Sequence, residues 1–141
     1  MNLTNQVTPT RDQFIDFMKN YPADEPVVMV NILKFKAQAD TVNTSSGESE
    51  SGAVAYARYG RNVAPLLKAV GGRVLWSGKV NMTVIGDSDD QPDMVLIVEY
   101  PSAAKFVEMS TSEAYRAIAH DRELSLTYGG LLASATSALG A

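Results

Sequence analysis

The stretch VVMVNILKF, residues 27–35, is apolar at nearly every position, as a strand covered on both faces would be. In its middle sits Asn31, an amide that must find partners or lose roughly 1–3 kcal/mol to desolvation. Two readings of Asn31 stand: a structural amide within a packed sheet, or a polar group set into a cavity. Lys34 falls on the opposite face of the strand, so the two do not share one pocket.

On the N-terminal side, TPTRDQFIDFMKNYP (8–22) carries Phe14, Phe17, Met18 and Tyr21 at helical spacing. Thr10 and Gln13 fit a capping box and Pro22 fits the stop, so a short helix should precede the strand. On the other side, residues 37–52 are small, polar and rich in Ser and Gly, the composition of a flexible loop or a lid. A helix is expected from Ser51 to about Val70, with Tyr56, Tyr59, Val63, Leu66, Leu67 and Val70 on one face. Arg58, Arg61 and Lys68 point away from that face; Pro65 should bend or break the helix, and Gly71-Gly72 ends it.

Residues 73–86 read as a long strand with Gly78 as a bulge, and GDSDDQPD as the turn into MVLIVEY (94–100), completing an antiparallel hairpin. Ser102 should cap a helix through Met109. A second segment follows from about Ser112 to Leu126, with Ser110 and Glu113 as a capping box. Gly129-Gly130 then introduces a last strand, LLASATSA.

Behind the extra N-terminal helix the order is strand, helix, strand, strand, helix, strand. This is the α+β, ferredoxin-like split βαβ pattern, an antiparallel four-stranded sheet with helices on one face. The expected organisation is an N-terminal helical extension, 1–25, and one ferredoxin-like domain, 26–141. A sheet with helices on one side should alternate along its strands, yet VVMVNILKF and MVLIVEY do not. The second face must also be covered, most simply by the same face of another copy. A homodimer through the sheet faces is expected.

At 141 residues and 45% hydrophobic, the chain suits a single domain with a real core. The net charge of −4 and the scattered Lys and Arg residues argue against a nucleic-acid binder and against attachment to an anionic membrane. With no cysteine, disulfides, Cys-ligated zinc and thiol nucleophiles are excluded. No apolar run approaches the roughly 18 residues that span a bilayer. MNLTNQVTPTRDQF lacks the regions of a signal peptide, so a cytoplasmic protein is expected. There is no phosphate loop, dinucleotide fingerprint or nucleophile elbow, and one histidine without a carboxylate cluster argues against a dedicated zinc site. No metal and no cofactor are expected.

On a helical wheel referenced to Tyr115, Ile118, Ala119, Arg122 and Leu126 share one face. Arg122 on that face needs an anionic partner or an exit to water. Glu99, the only charge in MVLIVEY, could supply a structural ion pair. Alternatively the Arg122 fork binds a substrate carboxylate or enolate. His120 is the only group naturally titrating near neutral pH, hence the default general base, although the wheel turns it toward solvent. Catalytic candidates are thus His120, Glu99 and Tyr59. Ligand-binding candidates are Arg122, Asn31, Tyr56 and Trp76, the sole tryptophan, which could wall a pocket or pack at the dimer interface.

PVVMVNILKFK, AYARYGRNVAPLLKAVGGRVLWSGKV, VIGD, VLIVEYPS and EAYRAIAHDREL together resemble domain-of-unknown-function family 1330, of the dimeric α/β-barrel superfamily. The resemblance covers roughly residues 26–136. It implies a ferredoxin-like monomer that pairs sheet to sheet, and no agreed reaction. The superfamily includes cofactor-independent monooxygenases, muconolactone isomerases and heme-binding members, and carrying an activity over from fold alone is analogy. Asp121 stands where the resemblance leads one to expect His, which speaks against a mechanism requiring paired histidines.

Three functions compete. The first is a cofactor-independent enzyme acting on a small anionic or aromatic metabolite in a pocket of a homodimer. The second is a non-catalytic small-ligand-binding module using the same pocket. The third is a structural dimerisation domain without a pocket.

Overall fold

The computed structural model describes residues 5–40 and 49–137. Residues 41–48, the centre of the expected flexible loop, lie outside them, and with them the lid reading.

Helix α1 (Arg11–Asn20) opens with the expected capping box, the Thr10 side chain accepting from Gln13 N and the Gln13 side chain accepting from Thr10 N. Strand β1 (Val27–Phe35) buries Val27, Met29, Asn31 and Leu33 and leaves Val28, Val30, Ile32 and Lys34 partly exposed on the opposite face. The run reads as continuously apolar because both faces are apolar, but only one is covered within the chain. Helix α2 (Gly52–Ala69), strands β2 (Arg73–Lys79) and β3 (Met94–Tyr100), helix α3 (Ala103–Ser110), short helices α4 (Glu113–Arg116) and α5 (Ala119–Ser125), and strand β4 (Leu126–Ser134) complete the chain. The four strands form one antiparallel sheet in the order β2-β3-β1-β4, the ferredoxin-like arrangement.

Several local expectations are corrected. α2 runs unbroken through Pro65. Pro65 and Arg61, whose carbonyl loses its donor, are both exposed, so water can substitute for the missing bond. The bulge in β2 is at Leu75, between the pairs Val74↔Val98 and Trp76↔Ile97, and not at Gly78. Gly78 lies beneath the Trp76 ring, where a side chain would collide with the indole. β2 stops at Lys79, which pairs with Met94, the first residue of β3; beyond it there is no strand to pair with. In that continuation Met82, Val84 and Ile85 are exposed, Ile85 at 95%.

The 112–126 segment is two short helices, not one. Ser112, rather than Ser110, caps the first by accepting from Tyr115 N, while Ser110 donates to the Val107 carbonyl. β4 starts at Leu126, earlier than expected, and passes straight through Gly129-Gly130.

The core lies between the sheet and the helices in two clusters. One gathers Val27, Met29, Val98, Tyr100, Ala103 and Met109 with Phe17 of α1 packed against it; the other gathers Leu33, Tyr56, Tyr59 and Leu126. Among the described residues, no helix packs on the opposite face of the sheet. Val28, Val30, Ile32, Val95, Ile97, Trp76 and Leu132 share it, by strand register. Trp76 is 56% exposed there. Among the described residues, no helix is long and apolar enough to cross a membrane.

Candidate functional site

A cavity of about 870 Å³ opens between the N-terminal segment with α1, the α3–α5 side and the sheet. A second, of about 430 Å³, lies between α2 and the sheet. Asn31, Tyr59 and Tyr100 line both.

Asn31 is placed by β1 on the helix-covered face at 9% exposure, opposite Leu96 of β3 and Leu131 of β4. Its Nδ2 donates to the Leu96 carbonyl at 3.1 Å, which orients the amide because a carbonyl can only accept. The amide oxygen meets no hydrogen-bond donor among the described residues.

Tyr59 comes from α2 and Tyr115 from α4. Their hydroxyls are 2.9 Å apart and their rings meet edge to face. Only one proton can lie between the two oxygens, so the accepting hydroxyl keeps its own proton for a further acceptor. Tyr56 lies one helical turn before Tyr59, and Tyr100 ends β3. Burial pushes the Tyr56 hydroxyl up to about 12, against an opposing pull from Arg122 beside it. Burial likewise raises Tyr59 and Tyr100 well above the ordinary tyrosine range. All three are therefore neutral hydroxyls at neutral pH.

Arg122 projects from α5 into the larger cavity. Its Nη1 donates to the Val7 carbonyl and its Nη2 to the Gly129 carbonyl at 3.4 Å. Gly129 makes the room, since a Cβ there would stand 2.9 Å from Nη2 and 2.8 Å from Leu126 Cδ1. No carboxylate lies within ion-pair distance of Arg122 among the described residues. The expected Arg122–Glu99 pair is thus corrected. Glu99 sits on the helix-free face, next to inward-facing Val98 and Tyr100, and pairs with Arg73 at 3.0 Å.

The other candidates lie apart from both cavities. His120 is 61% exposed, its Nε2 3.7 Å from Asp121 Oδ1. Trp76 belongs to the helix-free face, so it walls neither cavity. The structure therefore brings Asn31, Tyr56, Tyr59 and Arg122 together and sets His120, Glu99 and Trp76 elsewhere.

Sequence reasoning missed three features. Tyr115 was only the wheel's reference point, and its hydroxyl is the signal that could have added it. Gly129 looked like a strand boundary and is instead space for a guanidinium. Arg58, read as pointing outward, binds both oxygens of Asp121 at 2.9 and 2.8 Å and reaches Glu50 at 2.7 Å, tying α2 to α5. Arg58 holds the Asp121 carboxyl below the usual carboxylate range. Among the described residues, no three acidic or histidine side chains converge to hold a metal ion.

The wall of the larger cavity thus offers a guanidinium, an amide and paired hydroxyls set among aromatic rings, a set suited to a planar organic anion. The chain has the architecture of a ferredoxin-like α+β domain with a polar-lined cavity between sheet and helices. The profile of the family described as Domain of unknown function (DUF1330) matches residues 51–133, and the chain belongs to that family. It is similar in structure to RPA0582, a protein of unknown function from Rhodopseudomonas palustris. The two are 33% identical over 93% of this chain and 96% of that one, with a TM-score of 0.83. The methylated form of RPA0582 is 32% identical over 96% and 98%, with a TM-score of 0.86. A dimeric protein of unknown function and ferredoxin-like fold from Bacteroides fragilis NCTC 9343 is 12% identical over 80% and 98%, with a TM-score of 0.48. No curated protein matches the chain.

Proposed function

We propose that this chain binds a small organic anion, aromatic or enolate-like, in the larger cavity, with Arg122 as the anion's partner. One observation carries the reading: a half-buried guanidinium stands on the cavity wall among neutral acceptors, the Val7 and Gly129 carbonyls and the Tyr56 hydroxyl. Carbonyls accept its protons but do not neutralise its charge, whereas a carboxylate does both through a bidentate contact. Asn31 and the Tyr59–Tyr115 pair would then hold the ligand's remaining oxygens.

Binding without chemistry is the form best supported. The histidine stands outside the cavity, burial keeps the Tyr59 and Tyr100 hydroxyls protonated, and the carboxylates among its described lining residues, Asp16 and Glu123, are exposed. In the alternative, enzymatic form, Tyr59 would be the proton donor. A thermal-shift screen of small carboxylates and phenols against wild type and Arg122→Ala tests the site. A ligand at 100 times its dissociation constant should add about 2.7 kcal/mol to wild type and nothing to a folded Arg122→Ala protein. Equal stabilisation of both, or of neither, would remove the assignment. Recovery of the ligand unchanged after long incubation supports the binder, and its conversion supports the enzyme.

We infer also that the helix-free face pairs with a second copy, which would cover Val30, Ile32, Ile97 and the exposed Trp76. In sedimentation equilibrium wild type should be a dimer and Ile97→Glu a folded monomer. A monomeric wild type would refute this pairing without touching the cavity.

A further inference from the structure

The second cavity differs in chemistry from the first. Its wall includes Val63 and Leu67 of α2 and Val74, Met94, Leu96 and Val98 of the sheet, and among its lining residues there is no charge. Its polar groups, Asn31 and the hydroxyl-bearing Tyr56, Tyr59 and Tyr100, come from residues placed at or near the junction with the larger cavity. Tyr56 lines this apolar space and yet feels the Arg122 guanidinium, so charge and apolar wall lie within one side chain of each other. At the junction Asn31 is nine-tenths buried, its amide nitrogen anchored on Leu96 and its oxygen without a donor among the described residues.

Two neighbouring cavities, one with a cationic wall and one apolar, that share Asn31, Tyr59 and Tyr100 fit an amphiphilic ligand that passes from one into the other. Building on the anion site argued above, we propose that the ligand is a carboxylate with an alkyl tail. Its head takes Arg122, its tail lies between α2 and the sheet against Val63, Leu67 and Leu96, and it passes the shared Asn31 and Tyr59 on the way. The apolar part alone, about 430 Å³, lies within the range of about 300 to 1,000 Å³ of pockets that enclose a small organic molecule.

Gly60 supplies a discriminating variant. It lines the apolar cavity, and a Cβ built there meets no atom within 4 Å. Gly60→Leu should therefore enter the tail space with no clash at its Cβ, and it replaces a helix-interior glycine with a better helix former. The experiment is calorimetric titration of the full chain with the saturated carboxylates from butanoate to decanoate, and with benzoate, on wild type, Gly60→Leu and Arg122→Ala. In wild type the affinity should rise about fourfold per added methylene until the space is filled. Gly60→Leu should flatten that rise and leave benzoate and butanoate binding unchanged, whereas Arg122→Ala should weaken the whole series. Affinity independent of chain length in wild type, or a rise that persists in Gly60→Leu, would overturn the tail assignment. If short anions still bind through Arg122 in that case, the anion site survives alone; if no carboxylate binds wild type, both fall.

Discussion

Two arginines reach inward from facing helices, and their surroundings could hardly differ more. Arg58 of α2 has two carboxylates: Asp121, bound through Nε and Nη2, and Glu50 at 2.7 Å. Arg122 of α5 donates to two peptide carbonyls and lies against the neutral Tyr56 hydroxyl. Asp121 and Arg122 are adjacent in sequence, yet the helix turns one toward α2 and the other into the cavity. The first cluster carries more negative than positive charge and closes on itself. The second leaves its positive charge facing a cavity. A chain that can match an arginine with carboxylates, and does so one residue away, leaves the second one matched only by dipoles where something from outside can complete it.

Stability measurements can break this contrast. Asp121→Ala should cost the most, about 2–3 kcal/mol in urea unfolding. That is below the range for a fully buried pair, because Arg58 is one-third exposed and can turn to water. The pH dependence follows from the same contact. Arg58 lowers the Asp121 carboxyl below its ordinary value of about 3.9. Its contribution is thus fully present above that value and is lost as pH falls through the lowered one. The gap between wild type and Asp121→Asn should narrow below about pH 4. Arg122→Ala should cost least, about 1 kcal/mol, since it removes a packed stem and two carbonyl bonds while also removing an uncompensated charge. If Arg122→Ala proved as damaging as Asp121→Ala, the two arginines would be structural alike.

Most of the architecture could be read from the sequence, because periodicity and capping are local signals. The Thr10–Gln13 box appears where expected, and the two-faced apolarity of VVMVNILKF marks a central strand with two apolar sides. What failed depended on neighbours distant in sequence. The glycines look alike in the chain, yet Gly78 yields to an indole on its own strand and Gly129 to a guanidinium on another element. The Glu99 pairing failed because strand alternation turns that residue to the sheet's other face, where Arg73 waits. The candidate site divided in the same way. Residues on the inner faces of β1, α2 and α5 converge, while His120, singled out for its chemistry alone, does not.

The central claim is that Arg122 is held for an outside anion while Arg58 is already satisfied. The most direct test is nitrogen-15 NMR of the arginine side chains during titration with benzoate. The account expects the Arg122 guanidinium resonances to move and saturate together with binding, while those of Arg58 stay where they are. Binding that shifts Arg58, or that leaves Arg122 unmoved, would contradict it.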